Sequence, residues 1–420
     1  MYKKIILLAF ICTILDGYAQ ESNNTIRLSL NGAINIAIEN NPEIISASKE
    51  IDAATGRILQ AGRLQNAEFS VDINEVPTGF DFGETAELDL NFSQTIEFFG
   101  KRSTRIQSAE LQKKIAKLNY ERIKKLITSE VKKAYSSGLL ANQIVESIHS
   151  NINLLTDFLL QVTDRYQAGT SSYLDVIRAK VEISGLKNDL FDAMKNYQRV
   201  IGELKVLMGR EIGTEYNLSD SLYYQFTEIN KDTVINYHSS QSILLSITEI
   251  QIEQSKSYLS LAEKNSLPDF NFGISLQNRQ YSAKNGFDQL FGFNVGVSLP
   301  MFYSSGVRGD VQEAEANLSI SDIRFQYARL RVEQSIRTAF DNLSFAEEQL
   351  HLFDNTLIID VEDELRAGIT AYQNSQIDLL NLFDILRTYR SAQIEYARAV
   401  YNTIVSYTNL EIASELFENE

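Results

Sequence analysis

With 420 residues, 44% hydrophobic and 22% charged, the chain is long enough for two or three ordinary cores. Four prolines and twenty glycines exclude a collagenous or loop-built chain. Lys+Arg 39 against Asp+Glu 55 gives a net charge of −16, which argues against nucleic acid or anionic headgroups as partners. One cysteine and three histidines rule out a disulfide framework and a thiolate cluster and leave little for a histidine-built metal centre, so neither cofactor nor resident metal is expected.

Residues 1–19 have the pattern of a signal peptide. Lys3 and Lys4 start it, Ile5 to Leu15 form an apolar run too short to span a membrane, and Gly17-Tyr18-Ala19 supply the small residues for cleavage between Ala19 and Gln20. Cys12 lies inside the apolar run, without the small residues that precede a lipidated cysteine. The chain is therefore expected to be exported.

Beyond that leader no stretch has eighteen consecutive apolar residues, so no transmembrane helix is expected, but membrane strands signal themselves only by a ten-residue alternation. Such alternation predicts strands at about 68–76, 85–95, 269–278 and 290–299. In the second, for example, Leu88, Leu90 and Phe92 alternate with Asp89, Asn91 and Ser93, and in the fourth Phe293, Val295 and Val297 alternate with Asn294, Gly296 and Ser298. Any one of them fits a sandwich strand with one wet face. Four of them in an otherwise helical, exported chain favour a barrel wall, apolar outside and polar inside. Phe80, Phe82, Tyr281 and Phe287 lie near the two connecting loops, where aromatic residues would anchor a rim.

The remainder reads as helix. Lys101 to Tyr166 contains no proline and as one helix would reach about 100 Å. Ile148, Ile152, Leu155, Leu159, Val162 and Tyr166 are spaced alternately by four and three, the heptad pattern of helices packed along their length. The next helix continues it through Val176, Ala179, Ile183, Leu186, Leu190, Ala193 and Tyr197. An offset of 206 carries that last series onto Leu382, Ile385, Tyr389, Ala392, Tyr396, Ala399 and Thr403, and carries Gly100, Arg102 and Tyr166-Gln167 onto Gly306, Arg308 and Tyr372-Gln373. Two repeats are thus expected, 20–208 and 237–420, each ordered helix, strand, strand, long helix, return helix, with 209–236 as connector.

Ser29-Leu30-Asn31-Gly32-Ala33-Ile34 followed by Glu39-Asn40-Asn41-Pro42-Glu43-Ile44 resembles the N-terminal signature of the TolC-like outer membrane efflux proteins. Tyr166-Gln167-Ala168-Gly169 running into Tyr173-Leu174-Asp175-Val176 is similar to that family's hairpin turn, and Tyr372 to Asp384 more loosely so. Gln94-Thr95-Ile96-Glu97 and Gly100-Lys101-Arg102 look closest to the heavy-metal (cobalt-zinc-cadmium type) branch. The resemblance implies a mainly α chain with a transmembrane β-barrel portion: a homotrimer closing a twelve-stranded barrel in outer-membrane lipid, continued by a coiled-coil tunnel into the periplasm of a Gram-negative bacterium. It implies an exit duct rather than an enzyme, partnered by a periplasmic adaptor (membrane fusion) protein and an inner-membrane pump of the resistance-nodulation-division type.

On that reading the turns carry the function. Asp175, Asp378 and Asp384, with Tyr372, are candidates for the periplasmic aperture, where each carboxylate becomes a ring of three that attracts cations. Helix capping is the competing role for the aspartates. Tyr166, Gly169, Tyr173 and Ser375 are candidate adaptor-contact positions. Ser375 stands where the first turn has Gly169, so a different backbone conformation is expected there. Ile377 occupies a position where several relatives carry a gate arginine. Lys101 to Lys133, with eleven basic and three acidic residues, reads as a solvated helix face with inter-helix pairing, adaptor docking being the competing role. His149, His238 and His351 lie too far apart to share a metal.

Two function classes fit these residues: a transport duct, and a secreted or surface coiled-coil scaffold or adhesin whose strands form a soluble sheet. No Ser/His/Asp set, phosphate-binding glycine loop or metal-ligand spacing points to an enzyme.

Overall fold

A computed structural model describes residues 26–74, 78–79, 87–210, 215–227, 229–230, 234, 242–281, 286–299 and 306–415. The expected signal peptide with Ala19 and Gln20 lies outside the described residues, as do Phe80, Phe82 and the side chains of Tyr281 and Phe287. In chain order the elements are β1 (Ile26–Leu28), α1 (Leu30–Asn40), α2 (Pro42–Ala61), β2 (Glu68–Asn74), β3 (Glu87–Ile96), α3 (Lys101–Gln167) and α4 (Tyr173–Leu207). Then come β4 (Tyr216–Leu218), α5 (Ile243–Lys264), β5 (Asp269–Tyr281), β6 (Gly286–Ser298), α6 (Gly306–Leu352), a π turn (Phe353–Leu357), α7 (Ile358–Gln373) and α8 (Leu379–Ser414). No described helix is long and apolar enough to cross a membrane. The chain divides into two compact units, each assembled from discontinuous segments: 1–44, 124–230 and 338–420 in one, 45–123 and 231–337 in the other.

In the first unit the heptad positions form the core. Ile148, Ile152, Leu155 and Val162 of α3 pack with Val176, Ala179, Ile183 and Leu186 of α4 and with Leu382 and Leu386 of α8. Phe158, off the four-three series, is 3% exposed and joins them, whereas Tyr166, on the series, is 44% exposed because the helix ends there. The Asn40-Asn41-Pro42 signature has a direct structural use. The Asn41 side chain accepts from the Glu43 amide at 2.8 Å, which caps α2 behind Pro42, and its Nδ2 donates to the Leu207 carbonyl at the end of α4 at 2.8 Å. Gly209 follows at φ 63°, where a β carbon would lie 2.2 Å from the Asn40 carbonyl oxygen; only glycine fits.

Two features of this unit are absent from the sequence-based expectation. The connector returns to the N-terminus as a parallel β1–β4 pair, Ile26 opposite Tyr216 and Leu28 opposite Leu218. It is locked by the Tyr135 hydroxyl, 2.8 Å from both the Leu28 carbonyl and the Asp220 carboxylate; burial, then Asp220, pushes that phenol up to about 12. The second long helix is also interrupted. The π turn Phe353–Leu357 sets the Phe353 ring 6.3 Å from Tyr396, beside the Leu350–Ala399–Val400 cluster. No proline or glycine announces it.

In the second unit the four alternating segments form one antiparallel sheet in the order β2-β3-β5-β6. The register aligns every strand's apolar residues on one face: Val71 opposite Leu90, Leu90 opposite Leu276, and Leu276 opposite Phe291. That face is bare within the chain, with Phe69 65%, Phe293 80% and Val295 69% exposed. Phe99 (φ 59°) and Gly100 (φ 76°) turn the chain from β3 into α3. The Gly100-Lys101-Arg102 motif then latches the corner. Buried Lys101 Nζ donates to the Leu267 carbonyl and to Asp269 Oδ1, both at 2.8 Å, and Arg102 Nε donates to the Gly62 carbonyl at 2.6 Å.

Candidate functional site: the two helical turns

Both turns belong to the first unit, and both close by the same backbone pattern. In the first, the Gly169 amide donates to the Tyr166 carbonyl at 3.0 Å and the Thr170 amide to Arg165 at 2.9 Å. In the second, Ser375 donates to Tyr372 at 3.0 Å and Gln376 to Ala371 at 2.8 Å. Gly169 sits at φ 75° and Ser375 at φ 60°, so the second turn does not need the different conformation expected from its serine. The left-handed residue is tolerated because the Ser375 hydroxyl accepts a hydrogen bond at 3.2 Å from Arg165 Nη2.

Arg165 is the residue that sequence reasoning missed. Its guanidinium crosses from the end of α3 to the end of α7, donating to the Tyr372 carbonyl at 3.2 Å and the Gln373 carbonyl at 2.8 Å. A cation at a helix C-terminus meets the unsatisfied last carbonyls and the negative end of the dipole. It also lies 5.1 Å from the Tyr372 ring centroid. Its partners are more than two hundred residues away, so nothing local in sequence marks it. We expect Arg165→Ala to loosen the second turn by about 1–2 kcal/mol, since charge-assisted hydrogen bonds to half-exposed carbonyls are lost. Hydrogen exchange at the Ser375 and Gln376 amides should then accelerate roughly tenfold. Arg165→Lys should recover part of this, because an ammonium cannot hold the same fork of acceptors.

The predicted aperture residues separate into different roles. Asp175 is the N3 partner of a capping box: its carboxylate accepts from the Ser172 amide at 3.2 Å and the Ser172 hydroxyl at 2.8 Å, while the Ser172 hydroxyl accepts from the Asp175 amide at 3.2 Å. Burial opposes its charge, but the Ser172 and Ser171 hydrogen bonds and Arg178 outweigh that and hold the carboxyl below the usual range. A group so depressed stabilises the turn above the ordinary carboxylate range and loses that contribution as pH falls through its lowered value. Asp378 is the N-cap of α8, accepting from the Asn381 amide at 2.8 Å. Asp384 lies further along α8, exposed to solvent and free of any capping position.

Tyr372, a candidate for the aperture, is 6% exposed within the chain and belongs to the core of α3, α4 and α8, with its ring 6.0 Å from Phe158. Ile377 packs against the same core, half-buried. Tyr166 and Tyr173 are exposed instead, their rings 5.5 Å apart beside Gly169. Below the turns, α4 and α8 are joined by ion pairs. Arg387 grips Glu182 at 3.0 and 2.6 Å, which raises the already high guanidinium pKa, and Arg390 lies 3.6 Å from Asp189. Among the described residues, no group of three His, Cys, Asp or Glu side chains is arranged to hold a metal.

The comparisons with known proteins agree with this architecture. The family model described as "Outer membrane efflux protein" matches residues 33–210 and again 239–414. The cobalt-zinc-cadmium resistance protein CzcC of Cupriavidus metallidurans is 20% identical over 384 residues, covering 91% of this chain and 89% of that protein. The cation efflux system protein CusC of Escherichia coli O157:H7 is 22% identical over 410 residues, covering 90% and 84%. Among solved structures, the outer membrane protein VceC from Vibrio cholerae superposes with a TM-score of 0.74 at 15% identity, covering 92% of this chain and 95% of that one. A helical chain carrying four alternating strands, matched by one family model in each half, belongs to the outer membrane efflux proteins.

Proposed function

We propose that the chain is the outer-membrane exit duct of a tripartite efflux system, passively conducting substrates delivered by an inner-membrane pump and a periplasmic adaptor. The observation that carries this reading is the four-stranded sheet with one continuous, solvent-bared apolar face and an opposite polar face. Its edge strands, β2 and β6, each have one side unpaired among the described residues, and unpaired strand edges in lipid cost several kcal/mol per group. Closure by copies of the chain removes them. Bacterial barrels begin at eight strands, and the family resemblance favours three copies, hence twelve. The repeated family match supports reading the two halves as a duplication.

The aromatic pair Tyr166 and Tyr173, with Gly169 and Ser375, gives an adaptor two exposed turns to grip. The names of CzcC, a cobalt-zinc-cadmium resistance protein, and CusC, a cation efflux system protein, favour metal cations as cargo, and the resemblance to the heavy-metal branch favours a resistance-nodulation-division pump as partner. Fractionation tests the duct against a secreted scaffold. The duct stays in the outer-membrane pellet through a high-salt wash and runs as a trimer after detergent extraction, whereas a scaffold is released by salt. Release, or a detergent-extracted monomer that conducts nothing, sinks the reading.

A further inference from the structure

On the polar face of the sheet, the register sets two like charges directly opposite each other: Asp72 of β2 is the cross-strand partner of Asp89 of β3. Opposed side chains on paired strands stand about 5 Å apart, and like charges there repel. Asp89 is also enclosed, at 8% exposure, and its Oδ1 is buried with no hydrogen-bond partner, while Oδ2 accepts only a long 3.4 Å bond from Asn74. Asp72 Oδ2 accepts from Asn91 at 2.6 Å and from Ser70 at 3.5 Å. The nearby cation, Arg279, lies one row away, 3.6 Å from Glu87. Gln277 stands across from Asp89 on β5.

A buried carboxylate oxygen without a donor is costly, and a second carboxylate facing it raises the cost. Such an arrangement is relieved by a hard cation that takes oxygen ligands, which the two facing carboxylates provide, each already oriented by an Asn amide on one oxygen. We propose that Asp72 and Asp89 form a calcium-class divalent cation site that ties β2 to β3 on the polar face of the sheet. Two carboxylates rather than three or more place its affinity at the weak end, about 10⁻⁴–10⁻³ M, as in extracellular calcium modules. The site is separate from the turn aspartates and does not depend on their conducting role.

Equilibrium dialysis with radioactive calcium tests this on the detergent-extracted full chain carrying Asp378→Asn/Asp384→Asn, so that turn carboxylates do not contribute. We expect saturable binding of one ion per chain at millimolar calcium, weakened at least tenfold by adding Asp89→Asn or, independently, Asp72→Asn. Thermal unfolding of the otherwise unmodified chain should shift upward in 10 mM calcium, and the shift should vanish in both single variants. If one variant fails to fold, the other still decides. Unchanged calcium binding in either folded variant overturns the proposal. So does an unmodified chain whose unfolding ignores calcium.

Discussion

Leu90→Arg or Val295→Arg should abolish stable insertion, at a cost of about 2–4 kcal/mol per site near the membrane midplane. Leu90 lies between Val71 and Leu276 in one cross-strand row, and Val295 stands opposite Phe272, so both project from the face that the register makes uniformly apolar. In lipid a guanidinium there must be desolvated or must snorkel past its neighbours. The same substitution at the adjacent Asn91 or Asn294 should be tolerated far better, because those side chains belong to the opposite, polar face. Outer-membrane yield and heat-modifiable mobility of the four variants would measure the difference. Equal tolerance on both faces would be incompatible with a membrane barrel.

That contrast is also where the sequence was most legible. A period of two needs only a few residues to declare which face is which, and heptad spacing survives over a long helix. The sheet and the α3–α4–α8 core could therefore be read from Leu88, Leu90 and Phe92, or from Ile148, Ile152 and Leu155, without any structure. What escaped was short or non-local. The β1–β4 pair is three residues on each side, below any periodicity, and depends on a Tyr135 hydroxyl contributed by the middle of α3. The π turn depends on where Phe353 packs rather than on a breaker residue. Phe158 is core because the second turn folds Tyr372 onto it. At the turns, residue type identified Asp175 and Asp378, but capping geometry had to separate them from Asp384. The tolerance of Ser375 for a left-handed backbone came from Arg165, which no local pattern connects to it.

Divalent cations applied from the periplasmic side should block the channel, and Asp384→Asn should weaken that block about tenfold while Asp175→Asn changes it much less. The Asp175 carboxylate is occupied by Ser171 and Ser172 and has Arg178 3.7 Å away, so little of its field remains for an ion. Asp378 spends one oxygen on the Asn381 amide but stays exposed. Asp384 is exposed with no capping duty, and the adjacent Arg387 is held by the two oxygens of Glu182. With an effective dielectric near 20, one carboxylate a few ångströms from a divalent ion contributes several kcal/mol before screening, and a net 1.4 kcal/mol already changes affinity tenfold. In a trimer each substitution acts three times around one opening. Ile377 is folded against the core and supplies no positive charge to neutralise that ring, so the wild type should also show measurable conductance at rest. Single-channel recordings of the wild type, both single variants and Asp378→Asn/Asp384→Asn decide the matter. An unchanged divalent block in the double variant would remove both aspartates from the conducting path, leaving Asp378 its N-cap role alone and Asp384 a solvated helix position.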